Sequence, residues 1–285
     1  MNGLLYQQLA TTHLGQTTSG LSPRIWDKVA RAIQTPSGVN RLFLAGDDFA
    51  SFHGTLTGTA GDYSGGYKSY QDSGCTIAQV ADAKGGVAKL SFDGTGANDE
   101  IWLQSGGSAG VLGAISDTAG AAHVTAFECR VKFSAVANST LCGFVGLAEE
   151  GLAAADTKTD TTGVFADKDC IGFDVVAADG DALNFIYQKA GQTLQTKISG
   201  VQALVADTWY NLGFIYEPDA PCPPAKRIKV YVDGVEQSTY VTATNIAAAT
   251  FPDGEELAFL LGGKQVPESA ANIQCDWWQF GQVIP

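Results

Sequence analysis

Carboxylates are the side chains of this sequence that could do chemistry, because its 285 residues include 30 Asp and Glu but only three His. Hydrolysis of a glycosidic bond needs two carboxyl groups about 5–10 Å apart, one of which donates a proton. The candidate pairs that we consider are Asp99-Glu100 and Glu149-Glu150. Adjacent residues of a strand point to opposite faces, so neither pair has the spacing of a catalytic dyad. We predict no catalytic residue and no enzymatic activity.

Two further sequence patterns could indicate a catalytic site, but the surrounding sequence argues against both. His13, His53 and His123 lie far apart, which argues against a histidine general base or a multi-histidine metal site. Residues 106–110 match the G-x-S-x-G pattern of serine hydrolases, but that motif needs a strand before it and a helix after it. Here these residues belong to a glycine-rich loop, and we interpret them as a turn.

Calcium is the one candidate cofactor, since aspartate-rich turns offer the hard oxygen ligands that this cation prefers. The candidate ligands lie in a loop over residues 149–169 and in an Asp-Gly-Asp turn, and they are Asp156, Asp160, Asp167, Asp169, Asp179 and Asp181. Asp and Gly are equally common in ordinary β-turns, and no EF-hand spacing is present. We therefore assign no metal ligand and keep bound calcium as the alternative.

A net charge of −13 restricts the partners of the protein. Nucleic acid requires Lys and Arg that replace counterions at phosphate, and an anionic membrane surface makes a similar demand. We predict neither partner. No basic segment precedes the apolar Leu4-Leu5 pair, so we predict no signal peptide, and no apolar run is long enough to span a bilayer.

The six cysteines contain no C-x-x-C pair, which argues against a zinc ribbon. Four of them lie in apolar segments that we interpret as strands, namely Cys129, Cys142, Cys170 and Cys275. A reduced cysteine in such a segment behaves as a small hydrophobic residue. We predict reduced, buried thiols.

Alternation of side chains predicts an all-β fold over residues 48–285. Residues 210–216 and 228–232 each place alternate apolar residues on one face. The Asp233-Gly234 pair that follows supplies the positive φ angles of a hairpin turn. Short strands with turn signals about every 8–12 residues predict an antiparallel β-sandwich or jelly roll.

Residues 126–133 show the alternation most clearly. Phe127, Cys129, Val131 and Phe133 occupy one face, which we assign to the core. The other face carries Glu128 with its neighbours Arg130 and Lys132. We predict that Glu128 lies on a solvated sheet surface.

Residues 1–47 form a separate N-terminal anchoring segment in our interpretation. Residues 1–20 are polar and without periodicity, which fits either a disordered terminus or an arm that orders against a partner. Residues 22–34 predict a helix with Ser22 as its cap and Pro23 at its first position. Its apolar stripe, which includes Trp26 and Val29, packs either on the sandwich or on a neighbouring subunit.

Three segments resemble the concanavalin A-like lectin/glucanase superfamily, which includes laminin-G-like sandwiches. They are Thr-Trp-Tyr-Asn-Leu at 208–212, Ile-Lys-Val-Tyr-Val-Asp-Gly at 228–234 and Asp-Trp-Trp-Gln-Phe-Gly at 276–281. The resemblance covers residues 48–283 and implies the sandwich fold. It does not carry an activity, because function resides in sites, and the Glu-x-Asp-x-x-Glu strand of the glucanases is missing from this chain.

A polar arm, a lone helix and a lectin-like sandwich without those acids together resemble virion structural proteins of tailed bacteriophages. The resemblance implies a capsid decoration or cement protein, made in the host cytoplasm and placed on the capsid exterior. Its partners would be the major capsid protein and its own copies, with a trimer favoured. We expect anchoring through Leu4, Leu5, Tyr6, Leu9, Trp26, Val29 and Ile33. A chain without residues 1–35 should then keep its sandwich and lose attachment.

Two alternatives stay open. A glycan-binding module of a head or tail fibre would bind host surface glycan through exposed aromatic residues, for which Trp102 and Trp278 are the candidates. The same rings could instead fill the core or a subunit interface. A glycan-degrading enzyme is the less favoured alternative, because the paired acids are missing.

Overall fold

The computed structural model describes residues 20–33, 41–50, 55–56, 60–62, 66–81, 83, 85–106, 110–118, 120–136, 141–160, 162–218, 226–266, 268 and 270–284. No helix within these ranges is both long and apolar enough to cross a membrane. Several residues named above lie outside them, namely Leu4, Leu5, Tyr6, Leu9, His13 and His53, as does the sixth cysteine, Cys222.

The described chain forms 18 strands, two α-helices and one 3₁₀ turn over Ala177–Asp179. The helices are α1 (Pro23–Ile33) and α2 (Ala243–Ile246). The strands are β1 (Arg41–Asp47), β2 (Thr55–Leu56), β3 (Ala60–Asp62), β4 (Tyr67–Gln71), β5 (Thr76–Gln79), β6 (Ala88–Ser91), β7 (Glu100–Ser105), β8 (Gly113–Ala114), β9 (Thr125–Phe133), β10 (Leu141–Ala148), β11 (Cys170–Asp174), β12 (Ala182–Gln188), β13 (Gln195–Ala203), β14 (Trp209–Tyr216), β15 (Lys226–Val232), β16 (Val235–Thr242), β17 (Glu256–Gln265) and β18 (Asn272–Ile284).

The strands form two antiparallel sheets, which confirms the predicted all-β sandwich. Sheet A has the order β16-β15-β14-β9-β18-β6-β5-β2, and β1 pairs with the second half of β18. Sheet B has the order β13-β12-β11-β10-β17-β7-β4-β3, and the short β8 pairs with β17. The predicted hairpin joins β15 to β16, and both Asp233 and Gly234 have positive φ, at 49° and 73°.

The inward faces of the two sheets meet in one apolar core. Phe127 of β9 lies between Phe214 of β14 and Phe259 of β17, with ring centroids 5.6 and 6.1 Å apart. Trp278 stacks on Phe259 at 4.6 Å with an interplanar angle of 7°. Five cysteines are free and buried, namely Cys75, Cys129, Cys142, Cys170 and Cys275. For these five, the predicted buried thiols are found.

Helix α1 packs on the outer face of sheet A. Its residues Ile25, Trp26 and Val29 are buried against side chains of β9, β14, β15 and β18, namely Ala126, Ile215, Tyr231 and Val283. Glycine allows this close approach, because a Cβ at Gly213 would lie 2.7 Å from Ile25 Cδ1. Of the two positions left open for the helix, the structure therefore shows packing on the sandwich of its own chain.

Glu128 lies beneath this helix and is not solvated, which corrects the sequence prediction. Its carboxylate accepts hydrogen bonds from Ser22 N at 2.9 Å, from Ser22 Oγ, and from Trp26 Nε1 at 2.7 Å. The side chain is 1% exposed. Burial, opposed by these three donors, raises the pKa of Glu128 to about 7. The period-two pattern placed Glu128 on the outer face correctly, but it could not show that a helix covers that face.

We expect the stability of the protein to fall as the pH rises through about 7, because native Glu128 binds a proton that the unfolded chain has already released. The stabilising contribution of Glu128 is fully present below the ordinary pKa of glutamate. It is lost as the pH rises to the raised pKa of the native protein. Its slope is up to about 1.4 kcal/mol per pH unit. Urea unfolding of the wild type and of Glu128→Gln at several pH values measures it. An equal slope in both proteins would contradict the assignment to Glu128.

Candidate functional site

The outer face of sheet B is covered by the loop that connects β10 to β11. Loop residues Leu152, Ala153 and Phe165 pack on apolar side chains of β7, β10, β12 and β17, namely Trp102, Phe144, Ile186 and Leu260. The ring centroids of Phe165 and Phe144 lie 4.5 Å apart, and the ring of Trp102 meets that of Phe165 edge-on at 6.2 Å. This loop therefore occupies the face of the sheet with its own side chains.

Glu100 of β7 holds the loop in place from below. Its carboxylate accepts hydrogen bonds from the loop amides Thr157 N at 2.6 Å and Lys158 N at 3.0 Å. It also accepts from Trp102 Nε1 at 2.6 Å and from Lys264 Nζ at 3.1 Å. Glu100 and Lys264 are both fully buried. Burial raises the pKa of Glu100, although all four donors favour the ionised form.

Two lysines extend this arrangement into a buried charge cluster. Lys158 Nζ donates to Asp174 Oδ1 at 2.5 Å and to the carbonyls of Gly163 and Val175. Lys264 Nζ donates to Asp160 Oδ1 as well as to Glu100, and to the carbonyl of Lys158. Burial, opposed by Lys158, raises the pKa of Asp174 to about 6. Each ammonium thus has three acceptors.

The chemistry of this cluster is that of a closed ion network. A general acid or base must present its carboxyl group to a substrate. Here the carboxylates of Glu100 and Asp174 are buried and engaged by lysine, by backbone amides or by an indole N–H. Sequence reasoning considered Asp99-Glu100 only as an acid pair and missed the role of both lysines. The position of Lys264 at the end of the apolar run of β17 was the sequence feature that could have indicated a buried lysine.

The second predicted acid pair lies at an acidic depression of about 480 Å³. The depression is lined by five acidic residues and one glycine near the start of β17, namely Glu149, Glu150, Asp169, Gly254, Glu255 and Glu256. Lysines partly neutralise its rim, because Lys168 Nζ lies 3.1 Å from Glu149 and Lys189 Nζ lies 2.6 Å from Glu255. Burial and the neighbouring carboxylates raise the pKa of Asp169.

The aspartates considered for calcium are engaged separately. Asp156 accepts from Tyr70 OH, Asp160 from Lys264, Asp167 from Gln188 and Gly191 N, and Asp169 from Ala190 N. Asp179 accepts from Asn184. Within the described part of the chain, no three potential metal-ligating side chains are grouped. The described aspartates considered for calcium therefore do not surround a common position that a cation could occupy.

The predicted site aromatics are core residues in this structure. Trp102 is 0% exposed under the β10–β11 loop, and Trp278 is 4% exposed in the sandwich core. Neither ring offers a free face to a sugar, which corrects their candidacy as glycan contacts. Trp26 and Val29 of the predicted anchor are buried against sheet A, and the side chain of Ile33 lies outside the described part of the structure.

The half of sheet A that α1 leaves open carries a row of polar and aromatic side chains. Trp209, Lys132, Gln274 and Lys89 lie directly opposite one another on β14, β9, β18 and β6. Trp209 is partly exposed, with Arg130 and Lys132 at 4.6 and 5.0 Å from its ring centroid. Arg130 also pairs with Asp276 at 2.6 Å. Strand spacing makes the row roughly 14 Å long.

Solved structures with the same architecture include two plant lectins. Peanut lectin, solved with a nine-residue peptide, has a TM-score of 0.55 and 11% identity over 86% of this chain and 99% of that chain. Lectin II from Ulex europaeus has a TM-score of 0.50 and 11% identity over 84% and 97%. A protein of unknown function from Shewanella oneidensis MR-1 has a TM-score of 0.51 and 16% identity over 94% and 97%. No protein-family profile and no curated protein sequence matches the chain.

These likenesses establish the fold and nothing further, because sequence identity is low in every case. The sandwich is of the concanavalin A-like lectin type, as the three sequence segments indicated. Activity and partners must be argued from the sites of this chain.

We expect Lys264→Met to destabilise the fold by about 3 kcal/mol, because it leaves the buried carboxylate of Glu100 without its cation. Lys168→Met is the matched control, since its ion pair with Glu149 is 42% exposed on the lysine side and should contribute less than about 1 kcal/mol. Chemical denaturation of both variants measures the difference. Equal losses would show that the Glu100 cluster does not hold the loop.

Proposed function

We propose that this concanavalin A-like sandwich is a non-enzymatic virion structural protein that decorates a tailed-phage capsid through its N-terminal arm. The observation that carries the non-enzymatic part is the closed outer face of sheet B. Glu100 and Asp174 are each paired with a buried lysine and covered by the chain's own loop, so these two acids are not presented to a substrate. Such a protein acts by burying surface on a shell, which stabilises the assembled state by mass action.

The position of α1 supports attachment through residues 1–19. The carbonyl of Gly20 accepts a hydrogen bond from Asn211 Nδ2 at 3.2 Å, and Ser22 is held by Glu128. These contacts fix the start of the helix at the outer face of sheet A. Leu4, Leu5, Tyr6 and Leu9 precede this fixed point and are the anchoring residues of the proposal, whereas Trp26 and Val29 serve the fold.

We expect removal of residues 1–19 to leave the unfolding midpoint unchanged and to abolish attachment to particles. Removal of residues 1–35 should in addition destabilise the sandwich by about 3 kcal/mol or more, because it uncovers apolar residues of sheet A and the carboxylate of Glu128. This revises the expectation from the sequence that the same deletion leaves the sandwich intact. Electron microscopy of particles with the labelled full chain and each variant measures attachment. The proposal requires regular label on the head shell, and a shell without label overturns it.

Glycan binding is the second candidate function, and the row of Trp209, Lys132, Gln274 and Lys89 favours it. An aromatic ring beside amide and ammonium donors is a suitable surface for the faces and hydroxyl groups of a sugar chain. The architecture is also that of two lectins. In this proposal the half-buried row on sheet A binds the glycan, and the buried Trp102 and Trp278 do not.

We expect Trp209→Ala to weaken binding to a glycan array about tenfold or more, because aromatic anchors dominate small interfaces. Tyr240→Ala is the control, since this half-buried aromatic residue of β16 lies outside the row. If both substitutions weaken glycan binding equally, the row is not the binding site. Absence of any glycan signal for the wild type would remove this function and leave the decoration proposal untouched.

A further inference from the structure

Lys158 and Asp174 form an ion pair that is closed off from solvent beneath the β10–β11 loop. Lys158 Nζ lies 2.5 Å from Asp174 Oδ1, and the two side chains are 0% and 1% exposed. Asp174 is the last residue of β11, whereas Lys158 belongs to the loop. The pair therefore joins two segments of the chain in a site from which the protein excludes solvent.

The backbone fixes the lysine amine at this position. Lys158 Nζ also donates hydrogen bonds to the carbonyl oxygens of Gly163 at 2.7 Å and of Val175 at 3.3 Å. Lys158 itself forms an isolated β-bridge with Phe165, whose ring packs on sheet B. Because the carboxyl carbon of Asp174 is bonded to Oδ1, Nζ is also held close to that carbon. Two groups held in a reactive geometry behave as if present at about 10⁵–10⁸ M.

Asp174 differs from the other buried acid of the cluster in how its carboxyl group is held. Glu100 accepts hydrogen bonds from Trp102 Nε1 and two loop amides in addition to Lys264, and these donors favour the ionised carboxylate. Among the described residues, Lys158 is the one hydrogen-bond donor to Asp174. Burial raises the pKa of Asp174 to about 6, which favours the neutral acid. An amine attacks the carbon of a neutral carboxyl group more readily than that of a carboxylate.

We propose that Lys158 and Asp174 condense to an amide, which ties the β10–β11 loop covalently to β11. A proton first passes from the ammonium group to the carboxylate, which gives a neutral amine and a neutral acid. The lone pair of Nζ then attacks Cγ, and the bond from Cγ to the hydroxyl oxygen breaks. That hydroxyl group leaves as water with a second proton from Nζ. The ion pair thus becomes one amide bond and one water molecule, and no oxidant or cofactor is consumed.

Burial of the pair favours this reaction in the folded protein. Two charges removed from water carry a desolvation cost that their attraction offsets only in part. The amide has no charge to desolvate, and its remaining N–H can still donate to the carbonyl of Gly163. A cross-link between positions 158 and 174 also lowers the entropy of the unfolded chain. The folded state therefore favours the amide, whereas in an unfolded chain the two groups are hydrated and apart.

This bond is independent of the function proposed above and is tested on the full chain. We expect the folded wild type, kept until its mass is constant, to be lighter than its sequence requires by one water molecule in intact mass spectrometry. Lys158→Arg should have the full mass, because its guanidinium group stays protonated and does not attack. Lys168→Arg is the matched control and should keep the loss, since this lysine is 42% exposed and pairs with Glu149. A wild type of full mass, or a loss of water that Lys158→Arg retains, overturns the proposal.

A tryptic digest locates the bond in the wild type alone, so this test does not depend on how a variant folds. Trypsin cleaves after unmodified lysine, and the sites on either side of Lys158 bound the peptide 133–168. The next peptide, 169–189, contains Asp174. We expect no cleavage after Lys158 and recovery of the two peptides joined through Lys158 and Asp174. Release of 133–158 as a free peptide from most of the protein would show a free lysine amine and exclude the bond.

Discussion

Two buried glutamates determine how this sandwich is covered. Each sheet carries apolar side chains on its outer face as well as in the core, so each needs a further layer above it. Glu128 receives the amide and hydroxyl of Ser22 and the indole of Trp26, which places α1 on sheet A. Glu100 receives two amides of the β10–β11 loop and the indole of Trp102, which places that loop on sheet B. In both cases the cost of burying a carboxylate is offset only when the cover is in place.

This arrangement explains why the described outer face of sheet B is filled where the β10–β11 loop crosses it. The apolar loop residues fill the face, and the lysines neutralise the acids beneath it. Within the described chain, α1 covers only part of the outer face of sheet A, and no described strand pairs with the outer edge of β1.

The sequence allowed the strands, the β15–β16 hairpin and α1 to be predicted, because each depends on residues close together in the chain. It did not allow the burial of Glu128, since Ser22 and Trp26 are about 100 positions away. Lys158 and Lys264 were missed for the same reason, as charged residues are usually solvated and their partners are distant in sequence. The adjacent Trp277 and Trp278 lie opposite Arg130 and Cys129 of β9, and both are buried, because alternation assigns a face without showing what covers it.

The pairing of β1 with β18 has a consequence for biosynthesis. Partners in this pair are about 230 residues apart, and α1 likewise rests on residues of β9, β14 and β18. At synthesis rates of about 5–20 residues per second, the apolar segment Leu-Phe-Leu-Ala leaves the ribosome roughly 10–50 s before its partner strand exists. During that interval the apolar residues of β1 are without the strand that pairs with them in the native sheet. Sheet A can therefore be completed only after β18 has been synthesised, because β18 lies between β9 and β6 in that sheet.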